Sequence, residues 1–298
     1  MKKLFKYSTL ALALVAPFAA WSQVSLSVNI APPPLPYYAQ PPIPGDGYIW
    51  TPGYWGWNPS AGDYVWIPGT WVQPPTVGFL WTPGYWGFVG GAYLWHGGYW
   101  GNHVGYYGGL NYGYGYGGHG YEGGNWDHGH FRYNQAVNNI PQGRVHNVYN
   151  RPVAMHAAPG RESFNGAGSH FHGAPSASER QFQAGQHGAP TNEQAQHEQR
   201  AMGMPEQRMA NNHGMPPTAA TGHPGGFGEP GVERGRTATE MHAPPQMRAA
   251  APQMRAAPEM HAAPAARGPE GGHPGGGAEG GHPGGGREGG GAEHGEHR

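Results

Sequence analysis

The chain contains no cysteine in 298 residues. This absence excludes a disulfide framework, a thiol nucleophile, a zinc–thiolate site and a lipid anchor on cysteine. Charge is also scarce, since 12% of the residues are charged and the formal net charge is −1. All lysines lie within the first six residues, and neither lysine nor arginine occurs between Gln23 and Phe131. A nucleic-acid binder needs a concentrated basic patch, so the sequence predicts no nucleic-acid partner.

Long hydrophobic runs are missing beyond the first 22 residues, so no membrane span is expected in the mature chain. The N-terminus has the pattern of a cleaved signal peptide, in which three lysines precede the apolar run Leu10–Ala20. The sequence Ala20-Trp21-Ser22 before Gln23 then fits a small-x-small cleavage site. A membrane anchor is the alternative, but the run is shorter than the roughly 20 residues that a span requires. We therefore expect residues 1–22 to be removed and the mature protein to be exported.

Catalytic motifs are missing as well. The aromatic half of the chain holds few carboxylates (Asp46, Asp63, Glu122 and Asp127), and their spacing does not indicate an acid–base pair. There is no Gly-x-Ser-x-Gly elbow, no phosphate-binding loop and no His-Glu-x-x-His helix. The sequence therefore predicts a protein that is not an enzyme, with no catalytic residues and no cofactor.

What the chain has in abundance is glycine and proline, at 55 and 32 residues, together with clustered aromatic residues. The six-residue phrase W-x-x-G-x-W occurs four times between residues 50 and 100. Its tryptophan pairs are Trp50 and Trp55, Trp66 and Trp71, Trp81 and Trp86, and Trp95 and Trp100. The first three phrases carry Pro-Gly at their centre, whereas the fourth carries His96-Gly97-Gly98. Nine of the chain's 11 tryptophans lie in this stretch.

The phrase spacing predicts an all-β fold, an antiparallel meander of short aromatic-rich strands. If Pro-Gly forms a tight turn, with glycine at positive φ, the two tryptophans of each phrase face each other, as in Trp50 with Trp55. Folding about the links between phrases adds the pairs Trp55–Trp66, Trp71–Trp81 and Trp86–Trp95. All eight tryptophans then form one row, and cross-strand aromatic pairs of this kind stabilise sheets. Because type II Pro-Gly turns match strand twist poorly, the alternative is that some phrases are corners.

The composition divides the chain into four parts. After the signal peptide, residues 23–47 predict a strand with alternating apolar residues and a proline-rich connector. Residues 48–152 form the predicted aromatic and glycine β-repeat domain, with Phe131–Tyr133 and Val145–Tyr149 as its last strands. Residues 153–298 contain no Trp or Tyr and little Val, Ile or Leu. Such a segment cannot bury enough apolar surface to offset chain entropy, so it predicts a long disordered tail.

The four phrases, together with Ala31–Pro36 before them and Asn111–Gly118 after them, resemble the bacterial exported proteins that are named for their WXXGXW (or YXWGXW) repeat. The resemblance covers about residues 24–152. It implies an envelope protein in the periplasm or at the cell surface of a bacterium, with an unknown biochemical function. It adds no active-site residues. The fourth phrase departs from the Pro-Gly pattern, which loosens its turn without removing either tryptophan.

Two binding hypotheses stand beside a structural or interaction role in the envelope. In the first, the tryptophan row stacks on a cell-envelope glycan through Trp50, Trp55, Trp66, Trp71, Trp81, Trp86, Trp95 and Trp100; in the alternative, these rings are the core. In the second, the histidine- and methionine-rich tail buffers copper or zinc. The tightest histidine clusters of the chain add candidate ligands, His128 and His130 before the tail and His170 and His172 within it, whereas the alternative is that these are solvated residues. The partner would be a glycan or a protein of the envelope.

Overall fold

The computed structural model describes residues 26–153 and 161–242. The predicted signal peptide lies outside the described residues, as do the parts of the predicted disordered tail in residues 154–160 and 243–298. The described part consists mostly of strands in small sheets with few helices, so the all-β prediction is confirmed. Among the described residues, no helix is long and apolar enough to span a bilayer.

The elements are short and follow each other closely. The strands of the repeat region are β1 (Ser27–Val28), β2 (Ile49–Thr51), β3 (Tyr54–Asn58), β4 (Asp63–Ile67), β5 (Gly69–Val72), β6 (Leu80–Thr82), β7 (Tyr85–Val89), β8 (Ala92–His96) and β9 (Tyr99–Gly101). The remaining strands are β10 (Asn111–Gly113), β11 (Tyr116–Gly117), β12 (Gly124–Asp127), β13 (His130–Asn134), β14 (Val148–Tyr149), β15 (Phe164–Gly166) and β16 (Ala220–Thr221). The helices are α1 (Ala177–Gln183), α2 (Asn192–Met202), α3 (Met209–Asn212) and α4 (Ala238–His242), with a 3₁₀ turn at Pro205–Gln207. The two strands predicted at the end of the domain correspond to β13 and β14.

The four phrases fold as two long hairpins, each bent in the middle. In the first hairpin (residues 49–72), β2 pairs with β5 and β3 with β4, so that Trp50 lies opposite Trp71 and Trp55 opposite Trp66. In the second hairpin (residues 80–101), β6 pairs with β9 and β7 with β8. There Trp81 lies opposite Trp100 and Trp86 opposite Trp95. Each hairpin therefore contains two phrases that run antiparallel and face each other along their whole length.

The predicted pairings are thus partly right. The pairs between phrases, Trp55–Trp66 and Trp86–Trp95, are confirmed. The pairs within a phrase are wrong, and so is Trp71–Trp81: Trp50 pairs with Trp71, not with Trp55. The reason is that Pro-Gly does not reverse the chain. Reversal occurs instead at residues 59–62 and at Gly90-Gly91, where glycines take up positive φ.

Each Pro-Gly is a corner at which the two facing phrases cross closely. A Cβ on Gly53 would lie 2.4 Å from Cζ2 of Trp66 and 2.8 Å from the Gly69 nitrogen, and a Cβ on Gly69 would lie 2.6 Å from Cζ2 of Trp50. The second hairpin repeats the arrangement, with Gly84 under Trp95 and Gly98 under Trp81. None of these four glycines has a positive φ. The glycine of each phrase is therefore needed for space beneath the first tryptophan of the facing phrase, not for a left-handed turn as predicted.

The proline-rich connector is part of the core. Its extended backbone carries carbonyl groups but few N–H donors, and it lies across the tryptophans of the first hairpin. Trp55 Nε1 donates to the Pro34 carbonyl at 3.0 Å, and Trp71 Nε1 donates to the Pro41 carbonyl at 2.9 Å. A buried indole N–H needs an acceptor, and the connector supplies the backbone carbonyls that accept from these two indoles.

Residues 161–242 are ordered against the hairpins, which corrects the predicted start of the disordered tail at residue 153. Strand β15 adds in parallel beside β7, and β16 adds in parallel beside β5. The Ala219 carbonyl accepts from Trp66 Nε1 at 3.0 Å, and Gln194 Oε1 accepts from Trp100 Nε1 at 2.8 Å. The segment has too few apolar side chains for a core of its own. It folds because the hairpins offer it strand edges and indole donors.

Candidate functional site

The corners of the two hairpins face a cleft of about 530 Å³, here called the corner cleft. This volume falls in the range of roughly 300–1,000 Å³ that small-molecule sites occupy. One wall comes from the first hairpin and the other from the second. Helix α2 and Pro190, which precedes its N-cap, close the third side. The lining residues used below are Tyr54, Pro68, Trp81, Trp95, His96, Gly97, Gln194, His197 and Glu198.

Aromatic rings form one part of this lining. The rings of Tyr54 and Trp95 are stacked, with centroids 4.9 Å apart and planes 19° from parallel. Both side chains are half-buried, and Trp81 lies in the same lining with 7% of its surface exposed. The cleft therefore presents a stacked aromatic wall rather than a flat row.

The other candidate stacking tryptophans are not available to a ligand. Six of the eight have almost no exposed surface: Trp50, Trp55, Trp66, Trp71, Trp86 and Trp100. They pack edge to face or tilted against their cross-strand partners, as Trp50 and Trp71 do with centroids 5.3 Å apart. These rings are the core of the fold. Only Trp81 and Trp95 reach the cleft.

Helix α2 is fixed over the cleft by two anchored side chains, Gln194 and His197. Thr191 caps its N-terminus in a capping box with Gln194, whose Oε1 also accepts from Trp100 Nε1. His197 Nε2 lies 3.0 Å from the Pro68 carbonyl, and its Nδ1 accepts from the Gly225 N–H at 3.0 Å. This pattern selects one neutral tautomer, with the proton on Nε2. Burial lowers the pKa of His197 to about 4, so the ring is neutral near pH 7.

In the part of the chain that the structure describes, Glu198 is the only acidic residue that lines the cleft, and no lysine or arginine lines it. Burial raises the pKa of Glu198, and a hydrogen bond from the Tyr54 hydroxyl partly opposes that rise. Within residues 26–153 and 161–242, Glu198 takes part in no ion pair. Burial also lowers the pKa of His96. The Glu198 carboxyl group is thus the one acidic group in the described lining, and it has no charged partner there.

The departure of the fourth phrase from the Pro-Gly pattern lies in the cleft wall. Gly97 stands where the other phrases carry Pro52, Pro68 and Pro83, and it leaves the pairing of Trp81 with Trp100 unchanged. The nearest atom to a Cβ on Gly97 would be Trp95 Nε1, 4.0 Å away. The missing proline ring therefore leaves open space at this point.

The four candidate metal ligands are not brought together. His128 lies 2.7 Å from the Asp127 carboxylate, and His170 bonds to Glu162, while His130 and His172 are exposed. In the part of the chain that the structure describes, no three residues of the types His, Asp or Glu are grouped so as to hold a metal ion. Histidines and methionines beyond residue 242 lie outside the described residues.

The bent hairpin built from two facing phrases defines an all-β aromatic repeat protein with a ligand-sized cleft between its two units. The WXXGXW repeat model matches the chain twice, at residues 45–72 and 77–101. The chain thus carries two copies of the WXXGXW repeat, and each copy spans one bent hairpin. No curated protein and no solved structure matches it.

His197 makes the fold sensitive to acid. Its folded pKa, about 4, lies below the ordinary value of 6.5, so the unfolded chain binds the proton first as the pH falls. The free energy of unfolding should therefore drop by about 3 kcal/mol between pH 6.5 and pH 4 through this group. Denaturant unfolding at a series of pH values measures the slope. His197→Gln should flatten it, whereas His172→Gln, at an exposed position, should not; an unchanged slope in His197→Gln would refute the assignment.

Proposed function

We propose that the chain is a non-enzymatic, exported structural or interaction protein of the bacterial cell envelope. The observation that carries this proposal is the use of the repeat tryptophans as core. Indole donors of Trp55, Trp66 and Trp71 are bound to backbone carbonyls of the connector and of the 161–242 segment. The aromatic repeats thus serve to build a scaffold. The signal-peptide pattern in residues 1–22 supports export.

The chemistry of the corner cleft supports a non-enzymatic role. His197 is the natural candidate for proton transfer, but both of its ring nitrogens are engaged with backbone groups. A general base must be able to reach the proton that it abstracts, and His197 cannot do so in this arrangement. Among the residues that the structure places in the lining, Glu198 has no second carboxylate with which to share acid–base work.

Export is tested by expressing the full chain in a bacterium and determining the N-terminus and compartment of the product. We expect the mature protein to begin at Gln23 and to fractionate with the envelope. Ala20→Asp changes the small residue that the cleavage site requires, so this variant should be exported but retain its leader. Recovery of the uncleaved wild-type chain from the cytoplasm would refute the proposal.

Glycan binding is a second proposal, and the stacked pair of Tyr54 and Trp95 in the corner cleft favours it. In this proposal a single sugar ring binds in the cleft, whereas the sequence predicted glycan stacking along a row of eight tryptophans. Titration with N-acetylglucosamine tests this proposal, with tryptophan emission as the readout. The Trp95→Leu variant is the control that assigns a change in emission to Trp95. Metal buffering by the tail depends chiefly on residues outside the described part of the chain.

A further inference from the structure

We propose that the corner cleft binds a small organic cation, a protonated amine or a quaternary ammonium on a compact organic body, with Glu198 as its counter-ion. This inference does not depend on export or on an envelope location. It rests on three features of the cleft: the sign of its charge, the position of its aromatic rings and the way in which α2 holds Glu198 in place.

The charge of the lining has one sign. Among the described residues, Glu198 is the only acidic side chain in the cleft and no lysine or arginine lines it, while burial lowers the pKa of both His197 and His96. A half-buried carboxylate without a cationic partner is costly, and that cost falls when a cation enters. An anionic ligand would gain no such compensation, because no positively charged group is present in the described lining. The cleft therefore selects for positive charge.

The aromatic rings lie next to the carboxyl group. Tyr54 donates its hydroxyl to Glu198 and stacks its ring on Trp95, so the carboxylate and the stacked pair belong to one continuous surface. Trp81 lines the same cleft. Cations are attracted to the faces of such rings, most strongly to tryptophan and where water is excluded. A ligand can thus place its ammonium near Glu198 and its methyl or methylene groups against Tyr54 and Trp95.

Helix α2 holds the backbone of Glu198 in place beside the cleft. The residue before it, His197, is tied to the Pro68 carbonyl, and Gln194, one turn earlier, is tied to Trp100. Together with the hydrogen bond from the Tyr54 hydroxyl, this anchoring positions the carboxyl group before a ligand arrives, which reduces the ordering cost of binding. A metal ion is a poorer fit. One carboxylate cannot supply the several oxygen ligands that hard cations need, and no three-residue ligand group is found among the described residues.

The experiment is calorimetric titration of the full chain with choline and with 3,3-dimethylbutan-1-ol, its uncharged carbon isostere. The two probes have nearly the same shape, so the difference between them reports the charge. We expect saturable binding of choline and at least about tenfold weaker binding of the neutral isostere. Glucosamine and N-acetylglucosamine form a second pair, in which binding of the amine alone indicates a primary ammonium ligand.

Matched variants assign the binding to the cleft. Glu198→Gln removes the charge, keeps an acceptor for Tyr54 and should lower choline affinity about tenfold or more. Glu193→Gln removes one charge from the exposed face of the same helix and should leave the affinity unchanged. Equal affinity for choline and its neutral isostere, unaltered affinity in Glu198→Gln, or no binding of either cation at millimolar concentration would overturn the proposal. The comparison of the two probes on the wild-type chain holds even if a variant fails to fold.

Discussion

Replacing Gly98 by alanine should destabilise the protein by about 3 kcal/mol, the upper end of the range expected when a methyl group is forced into a packed core. The new Cβ would lie 2.4 Å from Cζ2 of Trp81 and 2.9 Å from the Gly84 nitrogen and the Thr82 carbonyl oxygen. The Trp81 ring cannot retreat, because it packs against Trp100 with centroids 5.2 Å apart. The facing backbone cannot retreat without breaking the second hairpin. Equilibrium denaturant unfolding measures the loss.

The neighbouring glycine provides a matched control. Gly97→Ala adds the same methyl group one residue earlier, where the nearest atom would be 4.0 Å away. Neither residue has a positive φ, so neither substitution introduces backbone strain. Gly97→Ala should change the free energy of unfolding by less than about 1 kcal/mol. Similar losses in both variants would show that glycine serves backbone freedom in this phrase, not close approach.

Ending the chain after Val153 should cost on the order of 5 kcal/mol or more, an amount comparable with the whole stability of an ordinary domain. The truncated chain loses strands β15 and β16, which pair with β7 and β5. It also loses the acceptors of Trp66 and Trp100, and orphaned buried donors cost about 1–3 kcal/mol each. We expect a much lower melting temperature, with tryptophan emission shifted to longer wavelength.

The control for this truncation is a chain that ends after His242. It lacks residues 243–298 but retains every contact described above, so its melting temperature should equal that of the full chain. If ending the chain after Val153 were equally harmless, residues 161–242 would be an accessory to the fold and the boundary predicted at Pro152 would be right after all.

Sequence periodicity predicts the strands well and their partners only in part. Alternation places Trp55 opposite Trp66 and Trp86 opposite Trp95, because these strands are joined by short loops whose geometry is local. The pairing of Trp50 with Trp71 depends on Pro-Gly passing through a corner, and the phrase W-x-x-G-x-W is compatible with both a turn and a corner. The poor match of Pro-Gly turns to strand twist was the one signal for the corner.

The end of the ordered region was harder to predict, because its stability is not encoded in its own composition. Residues 161–242 contain no tryptophan or tyrosine, and no apolar stripe marks α2. What orders them is complementarity to donors and strand edges on the hairpins, which no local pattern reveals. The corner cleft could not be predicted from the sequence for the same reason. His197 and Glu198 become site residues only because α2 lies over the two corners.

The pairing of facing phrases is the central claim, and nuclear Overhauser effects between backbone protons of isotope-labelled protein test it most directly. The bent hairpins predict cross-strand contacts between Trp50 and Trp71 and between Trp81 and Trp100. Contacts between Trp50 and Trp55 and between Trp81 and Trp86, with the first two absent, would instead show that each phrase closes on itself, and would contradict the account.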